Sequence, residues 1–166
     1  PAVASLVRGT AAAAGAYALA SLSFATFVSL KTPLLCIPVV GFQVMGLACG
    51  VAPCVMCFCS GVRQNDQTCL AWSGGCNVFS GICLALALCQ HFATQTVGNQ
   101  ERDMIHQYLG PDAGPQLIWF LSSRAAFIGG SIVKGVGLVA YVYQSYAAFQ
   151  AKGMLEAGVR LNPFAV

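Results

Sequence analysis

The sequence predicts an all-α integral membrane protein of about four transmembrane helices, with a short amphipathic surface helix between spans three and four. Three observations carry this. Of the 166 residues, 57% are hydrophobic and only 8% are charged, against roughly a quarter charged in an ordinary soluble domain. The apolar residues come in blocks of about twenty or more, long enough to cross a hydrocarbon core of roughly 30 Å as helices. Short polar segments separate the blocks, and in lipid only a helix or a closed barrel satisfies its own backbone hydrogen bonds. A single membrane domain over residues 1–166 is expected.

The first span is expected over residues 9–30, between Arg8 and Lys31, and is rich in Ala and Gly. Such small residues let helix backbones approach closely where lipid removes the hydrophobic drive for association. Ala18-Leu19-Ala20 has the small-x-small form of a signal cleavage site, but the apolar run continues to Leu30, so it reads as a retained span. The chain starts at Pro1 rather than Met, and an N-terminal piece is expected to have been removed.

The second span, residues 34–62, contains Pro38 and Pro53 and a Gly46-x-x-x-Gly50 pair. Pro53 lacks the N–H that would bond Cys49, so a bend is expected between Cys49 and Cys54. The polar run Arg63 to Gln67 is too short for anything but a hairpin turn, which makes spans two and three antiparallel neighbours. Span three is expected over residues 69–93.

The polar loop, residues 94–116, offers Asn99 as an N-cap with Glu101 and Asp103 in the first turn. Met104, Ile105, Tyr108 and Leu109 form one apolar stripe before Gly110-Pro111, the pattern of a helix lying at a membrane surface. The last apolar block, residues 117–149, is about 50 Å long as one helix, so it must tilt, project or break. Gly129-Gly130 and Gly135/Gly137 are its candidate bending points. Trp119, Tyr141, Tyr143 and Tyr146 are candidates for interfacial belts. A tail over residues 150–166 completes the chain.

The formal net charge of +3 comes from scattered residues, which argues against a nucleic-acid surface, since neutralising phosphates needs clustered Lys and Arg. With four spans, Arg8, Arg63, Lys152 and Arg160 share a side, and the bias favours both termini inside.

Nine cysteines stand at 36, 49, 54, 57, 59, 69, 76, 83 and 89. Cys54-x-x-Cys57-x-Cys59 resembles half of a metal or iron–sulfur site. Most of the nine lie inside apolar blocks, however, where a neutral thiol is a small hydrophobe, so packing is the expected role and no metal or cofactor is expected. Cys69, Cys76 and Cys83 recur every seven residues and share a helix face, too far apart to crosslink one another. Cys59 and Cys69 bracket the hairpin turn and form the one candidate disulfide. His91 is the haem candidate, but it and His106 stand at different depths, and haem b needs imidazoles at matching depth.

Arg124 and Lys134 draw the most attention, because an ionisable group at bilayer depth points to function. Lys134, Tyr141 and Ser145 share a helix face at i, i+7 and i+11. Contact with a partner subunit or an anionic lipid is expected at Arg124, Lys134, Tyr141, Gly46 and Gly50. The chain contains no phosphate-binding Gly loop, H-E-x-x-H or G-x-S-x-G, and no acidic residue inside a span, so no catalytic residues and no enzyme activity are expected. The expectation is a non-catalytic accessory subunit of an energy-transducing membrane complex, of respiratory-chain or ATP-synthase type. The expected location is the mitochondrial inner membrane, or else a photosynthetic complex of the thylakoid. The competing classes are a small channel or carrier using Lys134 and Gln43, and a haem- or quinone-associated redox anchor.

Overall fold

A computed structural model describes residues 2–32, 36–109 and 123–164, with side chains for all of these except 36–39 and 94–109. The described residues are helical with no strand: α1 (Ala2–Lys31), α2 (Cys36–Gly46), a π-helical turn (Leu47–Val51), α3 (Ala52–Gln64), α4 (Gln67–Leu109) and α5 (Arg124–Glu156). Four stretches are long and apolar enough to cross a membrane: Ala2–Lys31, Val40–Gln64, Gln67–Ala93 and Arg124–Glu156.

Several boundaries differ from the sequence expectation for local reasons. Helix α1 begins at Ala2, seven residues before the expected start, because Arg8 is a good helix former and its charge does not end a helix. Helix α4 runs unbroken to Leu109 rather than stopping near residue 93 and restarting at Asn99. No proline intervenes before Pro111, so nothing in the backbone forces a stop. The side chains of its expected apolar stripe lie outside the described residues. Helix α5 is continuous for 33 residues, through all four of the glycines expected to bend it. The segment 117–122, expected to open the last span, also lies outside the described residues.

The disturbance in the second span falls where Pro53 predicts it. The Ala52 N–H bonds the Leu47 carbonyl, five residues back. The widened turn relieves the crowding of the Pro53 ring against the preceding backbone, where an α-helical turn would set it against Cys49. The helical path continues on both sides, with Gly46 and Ala52 in ordinary α-helical backbone conformation. Pro38 sits in the first turn of α2, where its missing N–H has no intrahelical partner to lose.

Asn65 and Asp66 make the hairpin turn. Asn65 takes the left-handed conformation, φ 53° and ψ 39°, which Asn tolerates better than most residues. Its N–H and that of Asp66 both return to the Gly61 carbonyl, the latter at 2.9 Å. Asp66 then caps α4, Oδ1 accepting from the Thr68 N–H at 2.8 Å. The bond from the Cys69 thiol and that from the Thr68 N–H hold the Asp66 carboxyl below its usual range.

The helices form a ring in which α1 packs on α2 and α5, α4 packs on α3 and α5, and all neighbours are antiparallel. The tail after α5 folds back onto the hairpin turn. Asn65 Nδ2 donates to the Asn162 carbonyl at 2.9 Å, while Asn65 Oδ1 accepts from the N–H groups of Leu161 and Asn162. Asn162 Nδ2 returns a bond to the Arg63 carbonyl at 2.8 Å. The turn and the C-terminal tail therefore sit at one end of the bundle.

The interior is rich in small and polar residues beside a few large ones, and the exterior is largely apolar. Buried positions include Ala25, Ala140, Ala147, Ala148, Ala151, Thr10, Ser21, Ser73 and Asn77, whereas Leu30, Phe42, Phe79 and Val139 are mostly exposed. Phe58 and Leu70 anchor the core at the hairpin end, against Ala147, Ala148, Ala151 and Leu161. A distribution of this kind suits helices surrounded by lipid, where small residues mediate contact and large ones face outward.

Candidate functional site

Glycines opposite aromatic rings set the register of the bundle. Tyr143 of α5 lies over Gly9 of α1, and Tyr17 of α1 lies over Gly137 of α5. One step further along, Phe24 covers Gly129. On the other flank of α5, Phe149 covers Gly74 of α4, and the Tyr141 hydroxyl reaches across the bundle to Gly50 beside the π-helical turn. Each ring occupies a site that a side chain would fill, so backbone and aromatic face meet directly. Tyr17 and Tyr141 meet at the centre, ring centroids 5.8 Å apart, packed with Val51, Val133 and Ala140.

These registers bring three polar side chains to one level. Tyr143 over Gly9 and Tyr17 over Gly137 place Thr10 opposite Gln144. Ser145, donating to the Gly74 carbonyl at 3.3 Å, and Gly81 against Tyr141 place Asn77 at the same height. All three are 1–2% exposed. Asn77 Nδ2 donates to the Ser73 carbonyl at 2.8 Å, and Ser73 donates to the Cys54 carbonyl at 2.7 Å. Asn77 Oδ1, Thr10 Oγ1 and both amide atoms of Gln144 have no hydrogen-bond partner among the described residues. An unpaired buried amide costs about 1–3 kcal/mol by mutational measures. Replacing Gln144 by Leu, similar in size and apolar, is therefore expected to stabilise the bundle by about that amount. The midpoint of denaturing-detergent titration measures it, and a fall in the midpoint would show that the amide is paired in the folded protein.

The residues singled out from sequence do not converge on one site. Arg124 is the exposed first residue of α5, next to Ser123, which accepts the Ala126 N–H. Lys134 is half-buried on α5. Tyr141 and Ser145, expected to continue a stripe from Lys134 toward a partner subunit, an anionic lipid or a cavity, point into their own bundle, are 5% and 7% exposed and line a crevice there. The helix face they share is turned toward α4. The Gly46/Gly50 pair is split: Gly50 lies under Tyr141, while Gly46 has open space around it. Gln43 accepts a hydrogen bond from Ser21 of α1. Gln43, expected with Lys134 to serve a channel, therefore serves the α1–α2 contact, whereas Tyr141 lines a crevice of about 330 Å³ between α4 and α5 with Asn77 and Ser145.

His91 Nε2 lies 3.1 Å from the Phe127 carbonyl, and its ring stacks on Phe127 at 4.8 Å. Its contacts are those of an α4–α5 packing residue. His106 lies outside the described residues. Cys59 and Cys69 are both free thiols. Cys49, Cys54, Cys57 and Cys76 line a cleft of about 690 Å³ between the second span and α4, beside Trp72 and Phe79. Among the described residues, no three His, Cys, Asp or Glu side chains are placed to hold a metal ion.

Sequence reasoning passed over the clasp of Asn65 and Asn162 and the layer of Thr10, Asn77 and Gln144. Asn77 and Gln144 carried a usable signal, being amides within apolar blocks, where a polar side chain usually contacts another helix. The clasp joins residues 97 apart in sequence, and no local pattern announces such a pair. No protein-family model, curated protein or solved structure matches the chain.

Proposed function

We propose that the chain is an integral membrane protein and a non-catalytic structural subunit of a larger membrane assembly, of the energy-transducing kind found in the mitochondrial inner membrane. The supporting observation is the set of glycines that do nothing within the bundle. Among the described residues, Gly15 of α1, Gly41 and Gly46 of α2 and Gly75 of α4 have nothing within 4 Å of where a side chain would begin. Glycine in a helix costs roughly 1 kcal/mol relative to alanine. Glycines on outward faces recover that cost when another helix packs closely on them. On α1, Gly15 is flanked by exposed Ala11 and Ala12, a shallow face suited to a partner helix. Arg124 and Lys134 are the cations assigned to contact with a partner or with lipid headgroups.

Native electrophoresis in mild detergent tests this reading. The wild-type chain is expected to migrate within a large complex with other polypeptides. Gly15→Leu and Gly46→Leu are expected to keep the bundle folded and shift most of the chain out of the complex, because each adds bulk only to an outer face. Migration of the wild type at the mass of the single chain, with nothing co-purifying, would overturn the proposal.

A further inference from the structure

We propose that the cleft between α1 and α5 binds one anionic phospholipid, with its phosphate at Arg8 and an acyl chain along the groove on the other side of Tyr143. The inference rests on the membrane reading above. Two cavities meet where Tyr143 crosses Gly9. One, of about 590 Å³, lies toward the start of α1 and is lined by Ser5, Arg8, Ala12 and Tyr143. The other, of about 550 Å³, continues along the helices between Ala13 and Ala16 of α1 and Gly135, Val136 and Val139 of α5.

The two ends differ in chemistry as the two ends of a lipid do. Arg8 is exposed, and the ion pair found among the described residues, Lys152 with Glu156 at 2.9 Å, does not involve it. Its guanidinium offers the planar donor fork that suits phosphate. Ser5 and Tyr143 line the same cavity, and their hydroxyls are further donors. Arg8 stands six residues into α1, about 9 Å along the axis, within reach of a headgroup for a side chain that extends toward the interface.

The other end carries no charge. Residues 135–143 rise about 12 Å, most of the roughly 15 Å depth of one hydrocarbon leaflet. The groove is hollow because Ala13, Ala16 and Gly135 line it. Gly9 is equally required, since any side chain there would displace the Tyr143 ring that joins the two cavities. A partner helix would need a long shallow face of uniform character. A cleft that is cationic at one end and narrow and apolar at the other fits a single amphiphile.

Native mass spectrometry of the full-length protein, released from micelles with equal phosphatidylglycerol and phosphatidylcholine of matched acyl chains, tests the site. Phosphatidylglycerol is expected to be retained about fivefold over phosphatidylcholine, the ratio given by about 1 kcal/mol for one basic residue. Arg8→Gln is expected to abolish the preference, and Gly135→Leu to abolish retention of either lipid by filling the groove. Val139→Trp fills it one turn further along the same helix and should act like Gly135→Leu. Both groove variants are scored only when their unfolding midpoint matches wild type. Millimolar glycerol phosphate is expected not to displace the lipid; displacement would show that the site takes free phosphate and would overturn the lipid assignment. An undiminished preference in Arg8→Gln, or undiminished lipid in both groove variants, would also overturn it. Carbonate-resistant flotation of the wild type with vesicles separates the two readings. A chain that floats but shows no lipid preference loses only this site, whereas one that does not float loses the membrane reading too.

Discussion

A Gly137→Leu variant is expected to lose about 3 kcal/mol of stability or more, while Gly135→Leu, two residues away on the same helix, stays within about 0.5 kcal/mol of wild type. A side chain at Gly137 would begin 2.6 Å from Tyr17 and 2.7 Å from Leu84. It would therefore collide with α1 on one side and α4 on the other. Neither neighbour can yield easily. Tyr17 is packed against Tyr141 at the centre of the bundle, and close-packed interiors force off-rotamer side chains or backbone shifts when overfilled. At Gly135 the same addition meets open space. The two variants share helix propensity, bulk and depth, so the comparison isolates packing. The fraction folded in denaturing-detergent titration, followed by circular dichroism, measures both. Equal losses would mean that α5 is not seated on α1 and α4 in this register.

The second large effect is expected at Asn65. Replacing it with Ala removes three hydrogen bonds to the tail and leaves a residue with an ordinary Cβ in the left-handed conformation. At about 0.5–1.5 kcal/mol for each bond and about 1–2 kcal/mol for the backbone, a loss of about 2.5–6.5 kcal/mol is expected at this end of the bundle. Asn65→Gly keeps the backbone conformation at little cost and should lose the hydrogen-bond part alone. The readout is tryptic cleavage after Arg160, in the segment the clasp holds. Cleavage should accelerate at least tenfold in both variants, because release of the tail exposes its backbone. Asn162→Ala keeps the backbone groups that bond Asn65 but removes the Nδ2 bond to the Arg63 carbonyl, which holds the same tail, so its effect should fail to add to that of Asn65→Ala. Full additivity, or an unchanged cleavage rate, would show that the tail is held by other contacts, Leu161 in the core being the first to examine.

What was legible in the sequence is what local chemistry decides. Four stretches suited to spanning a membrane followed from block length and hydropathy. The tight turn at Asn65 and Asp66 followed from polar residues too few for anything else, and the disturbance before Pro53 from one missing N–H. Each depends on residues within a helical turn or two of one another, so the backbone alone enforces it.

The tertiary structure decided which face of each helix is inside. In a soluble bundle the apolar stripe answers that question. Here nearly every face is apolar, and the inside is marked by small and polar residues whose meaning depends on the neighbouring helix. Gly46 and Gly50 read as one motif in the sequence, but Gly50 receives Tyr141 while Gly46 has open space. Gly135 and Gly137 differ in the same way. Tyr141 and Ser145, expected to face a partner, a lipid or a cavity, turn inward because Gly50, Gly74 and Gly81 make room for them or bond them. Only the rotation and antiparallel register of α5 against α1 and α4 set these outcomes, and that register comes from aromatic rings and glycines more than fifty residues apart in the chain. The same long-range placement brings Thr10, Asn77 and Gln144 to one level and joins Asn65 to Asn162. Turns and breaks are written locally in this chain because the backbone's own hydrogen bonds decide them, whereas contacts between helices exist only once the helices are side by side.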